Sequence, residues 1–565
     1  MERTHPPSGS DGLVSRRAVL SGSLALAAAG LSAAACGGSG TKKTTSGTTS
    51  AKTGASTGAN TGPNTTAFSA GPVKGGTPVR GGTLRVGVVT AGDAETISVF
   101  TGVSTPDIIR IYALHDPMFF PAEGGKVTGG LVEKAVPNAS ATVWTFHLRR
   151  GVTFHNGKPF NADDIVYTIT KSWANKANSY NAVLSNIVDF AGVRKLDNYT
   201  VRVPLKLGLA QFPSVTCILN CYVVPAGTTK FDSGIGTGPF KLVSFQPGQR
   251  STFKANPNYW MAGRPYVDEL VIDSSYALPQ TCLNALLAGV VDVVPGVPPA
   301  LAATSSKSGR LVLGNQPGPG FVAPVFRVDK APFDDVRVRQ ALHLIPNRSN
   351  YTSVGFDGYA VAGNDCPGYT DQYWAQDLKA VHDPDKARSL LKAAGHENLA
   401  LTLRTADIFP GQTATATLFK QDARAAGVTV NINQIAPATY YTSAQGFLTR
   451  DFSVTSYNTG VNSLATFYLT AMTANGPYNE SHWGTKTAFG SKNALLFEAL
   501  GEVDTAKAAD KWHAVQEQES SEGPYIIPAN TNWVDAYSPS VRGVQTTTAL
   551  NCANFDFSGA WLAPK

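Results

Sequence analysis

Between Trp144 and Ile169 the chain changes its hydrophobic period once. Trp144, Phe146 and Leu148 alternate with Thr145, His147 and Arg149, the period-two pattern of a strand with one buried face. Asn156-Gly157 supplies a turn. Asn161 then predicts a helix start, its side chain accepting a backbone N–H near Asp164, with Asp163 and Asp164 placing negative charge on the positive helix end. Ile165, Val166 and Ile169 carry that helix on.

The same two periods recur along the chain. Gly81 to Val88 alternates as a first strand. In Ala331-Pro332-Phe333-Asp334-Asp335, Asp334 is the expected cap of a helix whose apolar face is Val338, Ala341, Leu342 and Ile345. Asp383 and Pro384 open another helix, with Ala387, Leu390, Leu391 and Ala394 on one face and Gly395 as its stop. Leu399, Leu401 and Leu403 alternate, a helical segment runs from about Thr413 to Ala426, and Val428, Val430 and Ile432 alternate again. That switching predicts a βαβ unit with parallel strands and a right-handed crossover.

Four blocks occur in one order. They are Gly81-Gly82-Thr83-Leu84, Gly236-Thr237-Gly238-Pro239-Phe240 leading to Asn256-Pro257-Asn258-Tyr259-Trp260, Ala331 to Leu342, and Asp383 through Gly395, with the run from Trp144 to Ile169 between the first two. Together they resemble the bacterial family 5 solute-binding proteins, extracytoplasmic receptors of peptide and nickel ABC importers. The resemblance implies an α/β, two-lobed periplasmic-binding-protein-like fold with hinge-crossing strands and an extra small domain on the first lobe. Carried onto this chain, lobe I is 81–120, 230–325 and 530–565, the small domain 121–229, and lobe II 326–529. The crossings fall near Phe321 to Val328 and Pro524 to Val534.

The first eighty residues follow a different logic. Ser15-Arg16-Arg17 precedes an alanine-rich stretch from Ser21 to Ala35, too short and mild for a membrane span and expected to be an export signal. The paired arginines resemble a twin-arginine signal. Ala33-Ala34-Ala35-Cys36-Gly37 resembles a lipobox with Ala33 in place of the usual leucine, which makes Cys36 the expected lipidation site. Residues 37–80 are rich in Gly, Ser, Thr and Ala, contain five basic residues and no acid, and form an expected disordered tether. A tether behind a lipid lets the body stand off the outer face of the cytoplasmic membrane.

Charge changes the picture little. The 565 residues carry a formal net charge of +7. The leader and the tether account for +1 and +5 of it, so the body is close to neutral and gives no support for a nucleic-acid partner. Five cysteines follow Cys36, namely Cys217, Cys221, Cys282, Cys366 and Cys552, and one bridge with the rest as buried thiols is the expectation. No catalytic motif is found in the body after residue 80: HExxH, GxSxG and a glycine-rich phosphate loop are absent there. No enzyme activity, resident metal or cofactor is expected, and nickel is disfavoured because His482 and His513 lack histidine partners at ligand spacing.

A two-lobed receptor of this family is implied to close on its solute and deliver it to an ABC permease and ATPase complex. Oligopeptides or dipeptides are the default class. Peptide receptors of the family often carry an aspartate, after a strand and an aromatic residue, that pairs with the peptide's amino group. Here that region reads Tyr457-Asn458-Thr459-Gly460, without an acid, and a buried ammonium without counter-charge is costly. Tyr457, Asn458 and Thr459, with Tyr478, Asn479, His482 and Trp483, offer aromatic faces and neutral polar groups instead. They suit a neutral sugar or a modified peptide. Phe356, Asp357 and Tyr359 lie in a family loop often near the cleft, as does the segment from Thr90 to Asp93, so Asp357 or Asp93 could replace the missing acid. Arg327 could hold a carboxylate in the cleft, or stand as a solvated charge on the strand's outer edge. A ligand sensor of the same fold, uncoupled from transport, is the remaining alternative.

Overall fold

The computed structural model describes residues 69–70, 76–217, 221–442, 446–457, 463–485, 487–549 and 554–564. Strand β1 (Thr83–Val89) opens the folded body with Leu84, Val86 and Val88 buried. Helix α1 (Thr105–Leu114) follows behind a capping box in which Ser104 and Asp107 satisfy each other's backbone N–H groups. Arg110 in this helix is fully buried. Its guanidinium meets Glu95 at 2.8 Å and donates to the hydroxyls of Ser251 (2.7 Å) and Ser274 (2.8 Å), which is what makes burying the charge tolerable.

Next comes an antiparallel four-stranded sheet. Its strands β2 (Val132–Pro137), β3 (Val143–Leu148), β4 (Arg194–Asp197) and β5 (Thr200–Pro204) lie in the order β2-β3-β5-β4. Trp144, Phe146 and Leu148 of β3 are buried and His147 is exposed, as the alternation requires. Gly157 turns the chain at a φ of 84°. Asn161 caps α2 (Ala162–Tyr167): its side chain accepts the Asp163 N–H at 2.8 Å, and Asp164 accepts the Asn161 N–H at 2.9 Å. Asp164 also accepts the Ala226 N–H at 2.7 Å and pairs with Lys158. One buried carboxylate thus ties the turn, the helix start and a distant loop.

Strands β6 (Phe240–Phe245), β7 (Arg250–Ala255) and β8 (Glu269–Tyr276) form an antiparallel meander, and β8 runs parallel to β1. The short β9 (Val293–Val294) is parallel to β1 on its other side. Asp116, just beyond α1, is buried and accepts from Thr237 Oγ1 (2.8 Å), Tyr259 OH (2.9 Å) and Trp260 Nε1 (2.9 Å). Burial pushes its carboxyl up to about 7. The two ends of the Gly236 to Trp260 block therefore meet on this one side chain.

The long strand β10 (Val312–Phe326) leads to α3 (Val336–His343). Asp335, not Asp334, is its cap and accepts the Arg337 N–H at 2.8 Å, because the helix begins at Val336 and only the residue just before it can hold that position. Val338, Ala341, Leu342 and Ile345 are all buried. Helix α4 (Pro384–Ala393) is capped by Asp383, which accepts the Lys386 N–H at 2.8 Å. Strand β11 (Ala400–Thr405), helix α5 (Gln412–Ala425) and strand β12 (Thr429–Gln434) make the expected unit with parallel strands. Strands β13 (Phe452–Tyr457) and β14 (Ala529–Tyr537) complete the main sheet, in the order β12-β11-β13-β10-β14-β9-β1-β8-β7-β6.

The two halves of that sheet are joined by β10 and β14. Along β10 the pairing changes: Val312 to Pro317 and, past a break, Phe321 pair with β14, and Phe321 to Phe326 pair with β13. The register breaks between Pro317 and Phe321 at Gly318-Pro319-Gly320. A Cβ on Gly318 would stand 2.6 Å from the Thr531 carbonyl oxygen, so glycine is needed for this close approach. Ser69–Ala70, inside the stretch 37–80 expected to be a disordered tether, instead adds a short antiparallel pairing to β10 at Gly314 and Asn315.

The bridge expected among the cysteines is not found among the described residues. Cys217, Cys221, Cys282 and Cys366 are buried free thiols, and Cys217 donates to the carbonyls of Phe119 (3.2 Å) and Pro213 (3.4 Å). Each behaves as a small apolar side chain. Cys36 and Cys552 lie outside the described residues. Among the described residues no helix is long and apolar enough to cross a membrane. Phe321, fully buried where β10 changes partners, is the residue whose truncation should cost most at the junction: Phe321→Ala is expected to lower unfolding stability in urea by about 3–5 kcal/mol. A loss within the scatter of surface substitutions would show that the junction is not a packed core.

Candidate functional site

Tyr457 ends β13 directly opposite Phe321. Its ring packs against Phe321, Phe467 and Tyr525 at centroid separations of 5.4, 5.1 and 6.1 Å. The cluster thus draws one residue from each joining segment, β10 and the approach to β14. The Tyr457 hydroxyl lies 3.4 Å from Glu480 Oε1 and 3.5 Å from the Tyr525 hydroxyl.

Glu480 is buried behind this cluster. Burial pushes its carboxyl up to about 8, against the opposing pull of the Thr455 hydroxyl, the Arg450 guanidinium and Tyr457. Arg450 is itself held over the Tyr440 ring at 4.0 Å and donates to the Tyr440 carbonyl. At neutral pH the acid beside Tyr457 is therefore mostly protonated, a neutral hydrogen-bonding group rather than a counter-charge.

The residues singled out from sequence fall in several places. Asn458 and Thr459 lie outside the described residues. Arg327 and His482 do come together, at 3.2 Å, but Arg327 is also held by Asp329 at 2.6 Å, and His482 Nε2 donates to the Leu448 carbonyl at 2.9 Å. This group sits past Phe326, six residues beyond Phe321, roughly 20 Å along a strand from Tyr457's end. Arg327 is thus a buried internal partner, neither a solvated edge charge nor a side chain beside Tyr457. Trp483 is buried in the lobe core, with Asn479 Nδ2 donating to its carbonyl at 2.8 Å.

The loop from Phe356 to Tyr359 links the two halves. Phe356 is buried in the core of the second half, with its ring under Gly411, where an added Cβ would meet it at 2.3 Å. Three residues later Tyr359 is buried in a separate cluster with Leu283, Leu286 and Val534, and its hydroxyl bonds to Ser306. Asp357 between them is exposed at a φ of 50°. Asp93 is also exposed, on the single turn Gly92–Ala94 after β1. Neither acid is set beside Tyr457 by a described contact.

Sequence reading missed Glu480, although it stands between two candidates, Asn479 and Ser481-His482. It missed Asn530 and Asn532 of β14 as well. Two asparagines in a central strand are a usable signal, since asparagine is depleted there unless its side chain has a task.

Comparison with known proteins agrees with this geometry. The profile described as "Bacterial extracellular solute-binding proteins, family 5 Middle" matches residues 126–479. The dipeptide-binding protein of Escherichia coli (strain K12) is 31% identical over 335 residues, 53% of this chain and 61% of that protein; the match therefore spans less than two thirds of that relative. Heme-binding protein A of Haemophilus influenzae is 27% identical over 437 residues, 71% of this chain and 78% of that protein. The solved structure of the periplasmic binding protein DppA from Helicobacter pylori in complex with peptide STSA superposes with a TM-score of 0.70 at 20% identity, covering 86% of this chain and 99% of that one. At that identity the match establishes the fold alone.

Burial of Glu480 has a pH consequence. Its folded-state pKa, about 8, lies above the ordinary 4.5, so between those values the folded protein binds more protons than the unfolded chain, and stability falls as pH rises through that window. Asp116, Asp371 and Glu519, raised to about 7, 6 and 8, act in the same direction. Glu480→Gln should therefore shrink, without abolishing, the drop in melting temperature between about pH 5 and about pH 8. An undiminished drop would mean that Glu480 is ionised in the folded protein.

Proposed function

The chain belongs to the bacterial extracellular solute-binding proteins of family 5, and from that premise we propose that it is the substrate-binding lipoprotein of an ABC importer. It captures a solute of the peptide class between two lobes and delivers it to a membrane permease. The observation that carries this is the construction of the sheet: β10 and β14 are the strands shared by both halves, and Tyr457, Phe321 and Tyr525 gather where they cross. Such a junction lets two packed halves rotate about a few residues. A solute that touches both halves favours the closed arrangement by its differential affinity. Binding, not turnover, is the task we assign.

Peptide is the class supported by the dipeptide-binding relative. A second reading, a peptide with a blocked or modified amino end or a neutral solute such as a sugar, is favoured by one observation: the acid beside Tyr457, Glu480, is held neutral by burial. A free ammonium placed there would lack a counter-charge. The division into lobe I (81–120, 230–325, 530–565), small domain (121–229) and lobe II (326–529) is part of the same proposal, supported by the separate four-stranded sheet and by the change of partners along β10. So is export, with a lipid on Cys36 and the segment behind it as a tether.

Two outcomes are expected. In a thermal-shift panel of free-amino dipeptides, N-acetylated dipeptides and disaccharides, at least one peptide should stabilise the protein, by about 2.7 kcal/mol at a hundredfold excess over Kd, with the acetylated forms at least equal to the free-amino ones. Stabilisation by none of them would remove the solute-binding assignment, and a clear preference for free amino groups would remove the second reading. In fractionated cells Cys36→Ala should leave the membrane fraction; an unchanged distribution would show that no lipid is attached at Cys36.

A further inference from the structure

Asn530 sits near the start of β14, between Phe321 of β10 and Val361 of the short strand Ala360–Ala362. It is completely buried, yet neither its Nδ2 nor its Oδ1 has a hydrogen-bond partner among the described residues. Buried polar atoms are almost always satisfied. Leaving both ends of a carboxamide unpaired costs the desolvation of each, a penalty that a packed strand could avoid with any apolar residue.

The surroundings say where a partner would come from. Residues directly opposite in an antiparallel pair share one face of the sheet, so the side chains of Asn530, Phe321 and Tyr457 lie on the same face, one strand apart from each other. Two residues on, Asn532 is on that face too; its Nδ2 donates to Asn315 Oδ1 at 2.7 Å, while its Oδ1 is buried without a partner. Opposite Thr531 between them, the Gly318-Pro319-Gly320 bulge takes β10 out of register. A strip of amide groups thus runs from the junction of the two halves toward the aromatic cluster that contains Tyr457.

We propose that the carboxamide of Asn530 is a ligand-reading group: its Nδ2–H donates to a carbonyl oxygen of the bound solute while its Oδ1 accepts an N–H of the same solute, with Asn532 Oδ1 as a second acceptor. An amide presents that donor and acceptor pair, so the class selected is amide-bearing solutes, peptides with or without a blocked amino end, in preference to polyols. This rests on the solute-binding reading of the same cleft.

The test uses the full chain, N-acetyl-Ala-Ala amide as the amide probe and maltose as the polyol. Asn530→Leu replaces the carboxamide by an apolar group of similar size, so without ligand its melting temperature should equal or exceed that of wild type, while its apparent affinity for the amide probe should fall roughly tenfold or more. Asn530→Ala, which cannot be too large for the site, should show the same loss of affinity. The proposal is overturned if ligand-free Asn530→Leu melts several degrees lower, since the carboxamide is then bonded within the protein itself. Undiminished probe affinity in both variants overturns it too. A wild-type protein stabilised by maltose but not by the amide probe defeats this inference and leaves solute binding standing; stabilisation by neither defeats both.

Discussion

The constraint on which the rest depends is that two strands, β10 and β14, belong to both halves of one sheet. A strand is stiff across its pairing and soft where the pairing is interrupted, and β10 is interrupted at Gly318-Pro319-Gly320, where its partner changes from β14 to β13. In the closure we propose, motion between the halves is directed to this point. The loop from Phe356 to Tyr359 adds a third link, with one aromatic ring anchored in each half. In that proposal, a solute held beside Tyr457 and Asn530 sits where the halves turn on each other.

Buried charge makes each half rigid enough for that turn to matter. On one side Arg110 is locked by Glu95, Ser251 and Ser274, and Asp116 gathers Thr237, Tyr259 and Trp260. On the other, Asp365 holds His343 at 2.8 Å and Arg348 at 2.6 Å, and accepts the Ile527 N–H at 2.8 Å. Burial alone would raise that carboxyl, but Arg348 and His343 hold it below its ordinary value. Since Ile527 lies just before β14, Asp365 also ties the approach to the crossing strand to this half. Breaking such a set strands a charge in the interior, so the halves keep their shape as they move.

Much of this architecture is legible in the residues, because caps, turns and periods are local. Asn161, Asp383 and the alternation of Trp144, Phe146 and Leu148 each report on a few neighbours, and their structural counterparts stand where they are expected. Even the one-residue error at Asp334 is local, two adjacent aspartates competing for one cap. The site is less legible because its logic lies in relations across the fold. Nothing near Arg327 in sequence says that His482 and Asp329 will enclose it at the far end of a strand. Likewise Glu480 is pushed toward its neutral form only by its burial in the folded protein, and the importance of Asn530 is the lack of a partner among the described residues, a property no single segment carries.

Closure of the two halves about β10 and β14 on a solute is the central claim, and a distance across the junction tests it most directly. Val290 and Val354 are exposed, one in each half, and Val290→Cys with Val354→Cys gives two accessible labelling sites while the described native thiols stay buried. Pulsed electron resonance between nitroxides at these positions should show a distance distribution that shortens and narrows when the solute giving the largest thermal shift is added. A distribution unchanged at saturating solute would contradict hinge closure as the mode of capture.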